Sequence, residues 1–141
     1  YLSIYWNFGV TDARIFEINQ GRMEVPPGED WEAYDRNSPV HNIQSLNTPM
    51  LVMFGTEDGA VDWDQGTIFY NAARRAGKHL VLLVYEGENH GLAEDANEID
   101  YHRRILEWFG HYLKGDPAPA WITEGVRYLD QQEGEGRPAG P

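Results

Sequence analysis

Two residues of this chain stand where acid–base chemistry needs them. Asp58 follows the apolar run MLVMF at 50–54 by four positions, and His90 follows the apolar run LVLLVY at 80–85 by five. Each run is short and unbroken, and the first is bounded by Pro49 and Gly55; this is the pattern of a strand buried on both faces, as in a parallel sheet. Open α/β sheets place their sites just beyond the carboxyl ends of such strands. Neighbouring strands lie about 4.8 Å apart and each loop residue reaches about 3.3 Å, so the two side chains can meet at that edge. A carboxylate that accepts the proton of one imidazole nitrogen fixes the tautomer and leaves the other nitrogen free to take a proton from a nucleophile. Asp58 and His90 are therefore the candidate acid and base.

Each of these residues has a plainer competitor. The Asp58-Gly59 pair is also a turn signal, since Asp side chains bond their own backbone in turns. Glu57, Asp62 and Asp64 are rival carboxylates, and Asp64 is read as the cap of the helix that follows, with Thr67 three residues on. A metal site joining His90 to Glu88, Glu94 or Asp95 lacks H-E-x-x-H or any comparable spacing; no metal and no cofactor is expected. His41 reads as structural, and His79, His102 and His111 as surface or helix-packing residues. The acids Glu57, Asp62, Asp64, Glu86, Glu88, Glu94 and Asp95 crowd the two loops. Solvated surface explains them, and the sharper alternative is a mouth biased toward the cationic amino terminus of a peptide.

The elements that must position the pair follow from periodicity. From Asp64 to Ala76, Ile68, Phe69, Ala72, Ala73 and Ala76 recur at helical spacing, Arg74 and Arg75 sit at the end favoured by the helix dipole, and Gly77 stops the helix. Strand, helix and strand in succession make the two strands parallel with a right-handed crossover. From about Ala96 to Lys114, Ile99, His102, Ile105, Leu106, Phe109, Tyr112 and Leu113 form an apolar stripe ended by Gly115 and Pro117. That long helix is expected to pack on the sheet. Upstream, Pro26-Pro27-Gly28 breaks the chain, Asp30 caps a short helix through Trp31 and Tyr34 that ends at Ser38-Pro39, and Val40, Ile43 and Leu46 fit one or two further helical turns. Residues 1–25 show neither period and read as an irregular connection whose aromatics, Tyr1, Tyr5, Trp6 and Phe8, need cover from elsewhere. Past the long helix, Trp121, Ile122, Val126 and Leu129 can dock, whereas QQEGEGRPAGP has nothing to dock and reads as a flexible tail.

Composition bounds the possible functions. With 41% hydrophobic and 13% aromatic residues among 141, the chain is globular. A formal charge of −12 argues against nonspecific binding to nucleic acid or to an anionic membrane. No apolar run approaches the roughly 20 residues that span a bilayer, and Tyr1 does not open a signal peptide. The absence of cysteine excludes disulfides, thiolate ligands and a cysteine nucleophile. A soluble enzyme fits, in the cytoplasm or in a periplasmic or secreted setting alike. Two parallel strands leave sheet edges and helix faces open, so the chain reads as the C-terminal portion of a larger α/β sheet.

At this point the residues resemble a known family. Gly55-Thr56-Glu57-Asp58-Gly59-Ala60-Val61, Gln65, Arg75-Ala76-Gly77-Lys78 and Tyr85-Glu86-Gly87-Glu88-Asn89-His90-Gly91-Leu92 resemble the end of the catalytic domain of prolyl-oligopeptidase-type serine peptidases. The resemblance runs from about Ser38 to Leu113 and weakly into Pro119-Ala120-Trp121. It departs at Phe54, where the family often has His. It implies an α/β-hydrolase fold in which the acid of a G-x-x-D-x-x-V segment falls on Asp58 and the base of an H-G segment on His90, an order shared by α/β hydrolases, whose serine comes first. G-x-S-x-G occurs nowhere here, and Ser3, Ser38 and Ser45 lie in no nucleophile elbow.

The family places the serine, the oxyanion-hole groups and a β-propeller upstream. The resemblance thus implies residues 1–130 as the C-terminal part of the catalytic domain, 131–141 as tail, and a chain inactive by itself. Its partners would be a peptide substrate and the remainder of the same protein, with a homo-oligomer compatible. The expected activity is hydrolysis of short peptides by Ser-His-Asp acyl transfer. An esterase, another non-peptidase α/β hydrolase, or a non-catalytic interaction module keeping a residual hydrolase fold are the alternatives.

Overall fold

The computed structural model describes residues 6–7, 10–11, 14–18 and 21–126. Ser3, the aromatics Tyr1, Tyr5 and Phe8, the side chain of Trp6, Leu129 and the 131–141 tail lie outside the described residues. Two compact units divide between Glu98 and Ile99.

The first unit is built on the predicted strand, helix, strand core. Strands β3 (Met50–Gly55) and β4 (Leu80–Tyr85) pair in parallel, with Met50 opposite Leu80 and Gly55 opposite Tyr85. Helix α3 (Trp63–Arg75) joins them and ends at Ala76, followed by Gly77 at φ 67°, a left-handed conformation that glycine adopts without a Cβ clash. Ala73 is fully buried and packs with Ile43 and Leu80, and Val52, Phe69, Tyr70, Ala72, Ala76 and Leu82 close around them. Helix and sheet approach closely, because a Cβ on Gly66 would sit 2.7 Å from the Phe54 ring. Lys78 Nζ donates to the Gln44 carbonyl at 2.6 Å, tying the exit of α3 to the chain that enters β3.

Three expectations need correction in this unit. Neither strand is buried on both faces: Met50 is 38% and Val84 46% exposed, and most other positions are half-buried. Among the described residues each of these strands has one hydrogen-bonded neighbour, so its outer edge has no strand partner there. The cap of α3 is Asp62, not Asp64. Asp62 has non-helical backbone angles (φ −49°, ψ 128°) and its carboxylate accepts from Asp64 N–H at 3.1 Å, while Asp64 is already helical and its carbonyl takes the Thr67 hydroxyl at 3.0 Å. Residues 1–25 are not wholly irregular: β1 (Trp6–Asn7) pairs antiparallel with β2 (Val10–Thr11), and Arg14–Ile18 forms the short helix α1. Elements this short cannot show a period.

The approach to β3 follows the predicted caps. Asp30 Oδ1 accepts from Ala33 N–H at 3.0 Å at the start of α2 (Trp31–Arg36), and Tyr34 is buried with its hydroxyl donating to the Val25 carbonyl at 2.8 Å. A 3₁₀ turn at Ile43–Ser45 accounts for the three-residue spacing there. His41 Nδ1 lies 2.6 Å from Asp35 Oδ1, an exposed contact between the end of α2 and the turn that follows.

Helix α4 runs Asp95–Phe109 and continues as a π-helical turn, Gly110–Lys114, before Gly115 at φ 79° ends it. The buried residue of α4 is Trp108, 4% exposed, which the predicted stripe omitted. It stacks on Trp121 of α5 (Ala120–Thr123) with centroids 6.2 Å apart. Trp121 Nε1 donates to Glu107 Oε2 at 2.6 Å, and the Arg104 guanidinium lies 5.1 Å over the same indole. Trp121 and Ile122 dock as expected, whereas Val126, Leu106, Phe109 and Leu113 are exposed. The face used within the second unit is thus set by α5, through Arg104, Trp108 and Tyr112 at four-residue spacing. No helix among the described residues is long and apolar enough to cross a membrane.

Candidate active site

The parallel ladder carries the acid and histidine loops off the same edge and keeps them joined beyond the strands. Thr56 N–H donates to the Tyr85 carbonyl at 3.1 Å, Gly87 N–H to Thr56 Oγ1 at 2.9 Å, and Glu57 N–H to the Glu88 carbonyl at 2.9 Å. Contact is closest at Gly55, where a Cβ would lie 2.1 Å from the Glu88 carbonyl oxygen and 2.4 Å from that of Asn89. Both obstacles are backbone, so a side chain at Gly55 must force the loops apart. Gly55→Ala is expected to cost about 1–3 kcal/mol, the range for overpacking, read as a lowered denaturant midpoint.

The structure brings the two predicted residues together. Asp58 Oδ2 lies 3.0 Å from His90 Nδ1. The other carboxylate oxygen, Oδ1, accepts from Ala60 N–H at 2.9 Å and Val61 N–H at 2.8 Å. The turn reading and the acid reading of Asp58 are therefore not rivals: one oxygen folds the loop and the other receives the imidazole. The Asp58 side chain is 5% exposed and that of His90 62%, a buried acid holding an accessible ring. Burial works to raise the Asp58 pKa, but the hydrogen bonds from Val61 N–H, His90 and Ala60 N–H together outweigh it and hold the carboxyl below its ordinary value. An ionised Asp58 binds the protonated Nδ1, which leaves Nε2 as a proton acceptor.

Two residues that sequence reasoning passed over complete the loop geometry. Asn89 Oδ1 accepts from Gly59 N–H at 3.1 Å and from His90 N–H at 2.7 Å, so one amide oxygen ties the residue after Asp58 to His90. Glu88, read as one of the solvated acids, is 3% exposed. Its carboxylate accepts from Ala93 N–H at 2.8 Å, Glu94 N–H at 3.1 Å and Asn97 Nδ2 at 2.7 Å. These bonds, that of Asn97 foremost, hold its pKa below the ordinary value against the opposing effect of burial. Two of these donors are backbone N–H groups just ahead of α4, at Ala93 and Glu94, and the third is the Asn97 side chain in its first turn. Glu57, Asp64, Glu86, Glu94 and Asp95 are exposed, while Asp62 caps α3.

Both described serines are engaged in local turns. Ser38 Oγ donates to the Tyr34 carbonyl and Ser45 Oγ to the Asn42 carbonyl, each at 2.7 Å. Among the described residues no group of three or more His, Asp or Glu is arranged to hold a metal ion.

A parallel ladder with a crossover helix, and an Asp and a His at its carboxyl edge in that chain order, define a portion of an α/β-hydrolase fold. Residues 4–116 match the family model described as the prolyl oligopeptidase family, and the chain belongs to that family. It is 30% identical over 91 residues to an acylamino-acid-releasing enzyme of Arabidopsis thaliana, covering 64% of this chain and 12% of that protein. It is 31% identical over 90 residues to dipeptidyl-peptidase 5 of Schizosaccharomyces pombe, covering 62% of this chain and 13% of that one. Among solved structures, a puromycin-hydrolyzing peptidase of Mycobacterium tuberculosis matches with a TM-score of 0.54 at 25% identity, over 60% of this chain and 13% of that chain. The chain thus spans a small part of the length of the relatives it matches.

Proposed function

We propose that Asp58 and His90 are the acid and base of a Ser-His-Asp triad, and that residues 1–130 are the C-terminal part of the catalytic domain of a serine peptidase acting on short peptides. The observation that carries this reading is the 3.0 Å contact between a buried Asp58 and an exposed His90 at the carboxyl edge of parallel strands. The nucleophile is assigned to sequence outside these 141 residues, since G-x-S-x-G is absent from them and the matched relatives are far longer. Membership of the prolyl oligopeptidase family and the peptidase names of the relatives support a peptide substrate.

In this reading Nε2 of His90 takes the hydroxyl proton as the serine attacks the scissile carbonyl. Asp58 stabilises the imidazolium that forms, and His90 then passes the proton to the departing amine. Water deacylates the enzyme by the same route. A fluorophosphonate probe on the complete protein should label a serine outside residues 1–141, located by peptide mapping. Labelling at Ser3, Ser38 or Ser45 would overturn the assignment. Parallel assays on peptide and ester substrates separate a peptidase from an esterase.

A further inference from the structure

We propose that Glu88 is a positioning residue for His90, the pin that holds the base loop in register with the acid loop. The proposal rests on the reading of Asp58 and His90 as acid and base. The loop 86–94 joins β4 to α4 and carries His90, whose side chain is mostly in solvent. A loop of this length with an exposed functional ring needs an internal tether if the ring is to stay within reach of Asp58.

Glu88 supplies that tether in two directions. Through its backbone it is fastened to the acid loop: its carbonyl accepts from Glu57 N–H at 2.9 Å and lies against Gly55. Through its side chain it is fastened to the far end of its own loop and to α4, accepting from Ala93, Glu94 and Asn97. The Glu88–Ala93 bond closes a short ring of chain, and His90 lies inside that ring. Asn89 adds a cross-strap to Gly59, next to Asp58.

The residue type fits this task. Three donors converge on two oxygens, which an ionised carboxylate can satisfy with charge-assisted bonds and an amide cannot. Its negative charge beside the first turn of α4 also suits the helix dipole. Glu88 is buried and offers no surface to a substrate, so its influence on the reaction passes through His90.

The test is made in the complete protein. Glu88→Gln replaces one acceptor oxygen by an NH2 that faces a donor, so at least one tether fails. Turnover should fall about 100-fold, as for a misplaced reacting group, with KM nearly unchanged because substrate contacts are untouched. Adding Asn97→Asp to Glu88→Gln exchanges donor for acceptor in that pair and should restore part of the lost turnover. A loss of packing alone gives no such recovery. A folded Glu88→Gln protein with turnover within about twofold of wild type, well short of a misplacement effect, overturns the proposal. If Glu88→Gln does not fold, Asn97→Ala, which removes one donor only, decides: lowered kcat at constant KM supports the pin, and unchanged kcat removes it. His90→Ala separates this idea from the reading beneath it. Full activity in His90→Ala ends both, whereas an inactive His90→Ala beside a fully active Glu88→Gln ends only the role of Glu88.

Discussion

Turnover by the complete protein should fall about 10⁴- to 10⁶-fold when His90 becomes alanine, the range for loss of a triad histidine in serine hydrolases. At 1.36 kcal/mol per tenfold, that is about 5–8 kcal/mol of transition-state stabilisation. The loss should fall on kcat, because the imidazole acts on protons that move only in the transition state. Stability should change little, since 62% of the side chain is in solvent and Asp58 keeps its bonds from Ala60 and Val61 after the ring is gone. Steady-state kinetics on a short chromogenic peptide, with the unfolding midpoint recorded alongside, checks both halves. Near-normal turnover in a folded His90→Ala protein would sink the base assignment.

What could be read from the sequence, and what could not, divides along a physical line. β3, β4 and α3 were legible because each is a run whose period is its own evidence: unbroken apolar strands, and apolar residues at three and four from Ile68 to Ala76. The Asp58–His90 pair was legible because strand spacing and loop reach place the two residues within contact without further folding information. Glu88 was misread because an acid in a loop looks alike whether it is solvated or receives three donors, and those donors are mostly backbone N–H groups without sequence identity. Trp108 was missed for a related reason. Its partner Trp121 lies beyond the end of the helix, so the periodicity of α4 cannot say which side α5 will cover. The shift of the cap from Asp64 to Asp62 turns on a choice between two acids two residues apart, at a boundary where propensity barely discriminates.

Asp58→Asn should cost about 10⁴ in kcat at neutral pH while leaving the fold in place. The replacement can keep an oxygen for Ala60 and Val61 N–H, so the turn survives, but its NH2 then faces His90 Nδ1. Nδ1 must become an acceptor, the ring proton moves to Nε2, and the nitrogen that should receive the serine proton is already occupied. Asp58→Ala gives up the turn bonds as well and should lower stability in addition to turnover, so comparing the two variants separates tautomer control from loop folding. The acid limb of stability offers an independent check. Burial alone would raise the Asp58 pKa, yet the bonds from Val61 N–H, His90 and Ala60 N–H bring it below its ordinary value of 3.8. A carboxyl lowered on folding stabilises the native state fully above its unfolded pKa, and that contribution is lost as pH falls through the lower folded value. Wild type should therefore lose stability more steeply than Asp58→Asn as the pH drops below about 3.8, the ordinary value from which Asp58 is lowered, in denaturant titrations at a series of acidic pH values. Parallel curves for the two proteins would show that Asp58 is not held ionised by its partners, and the tautomer argument would lose its anchor.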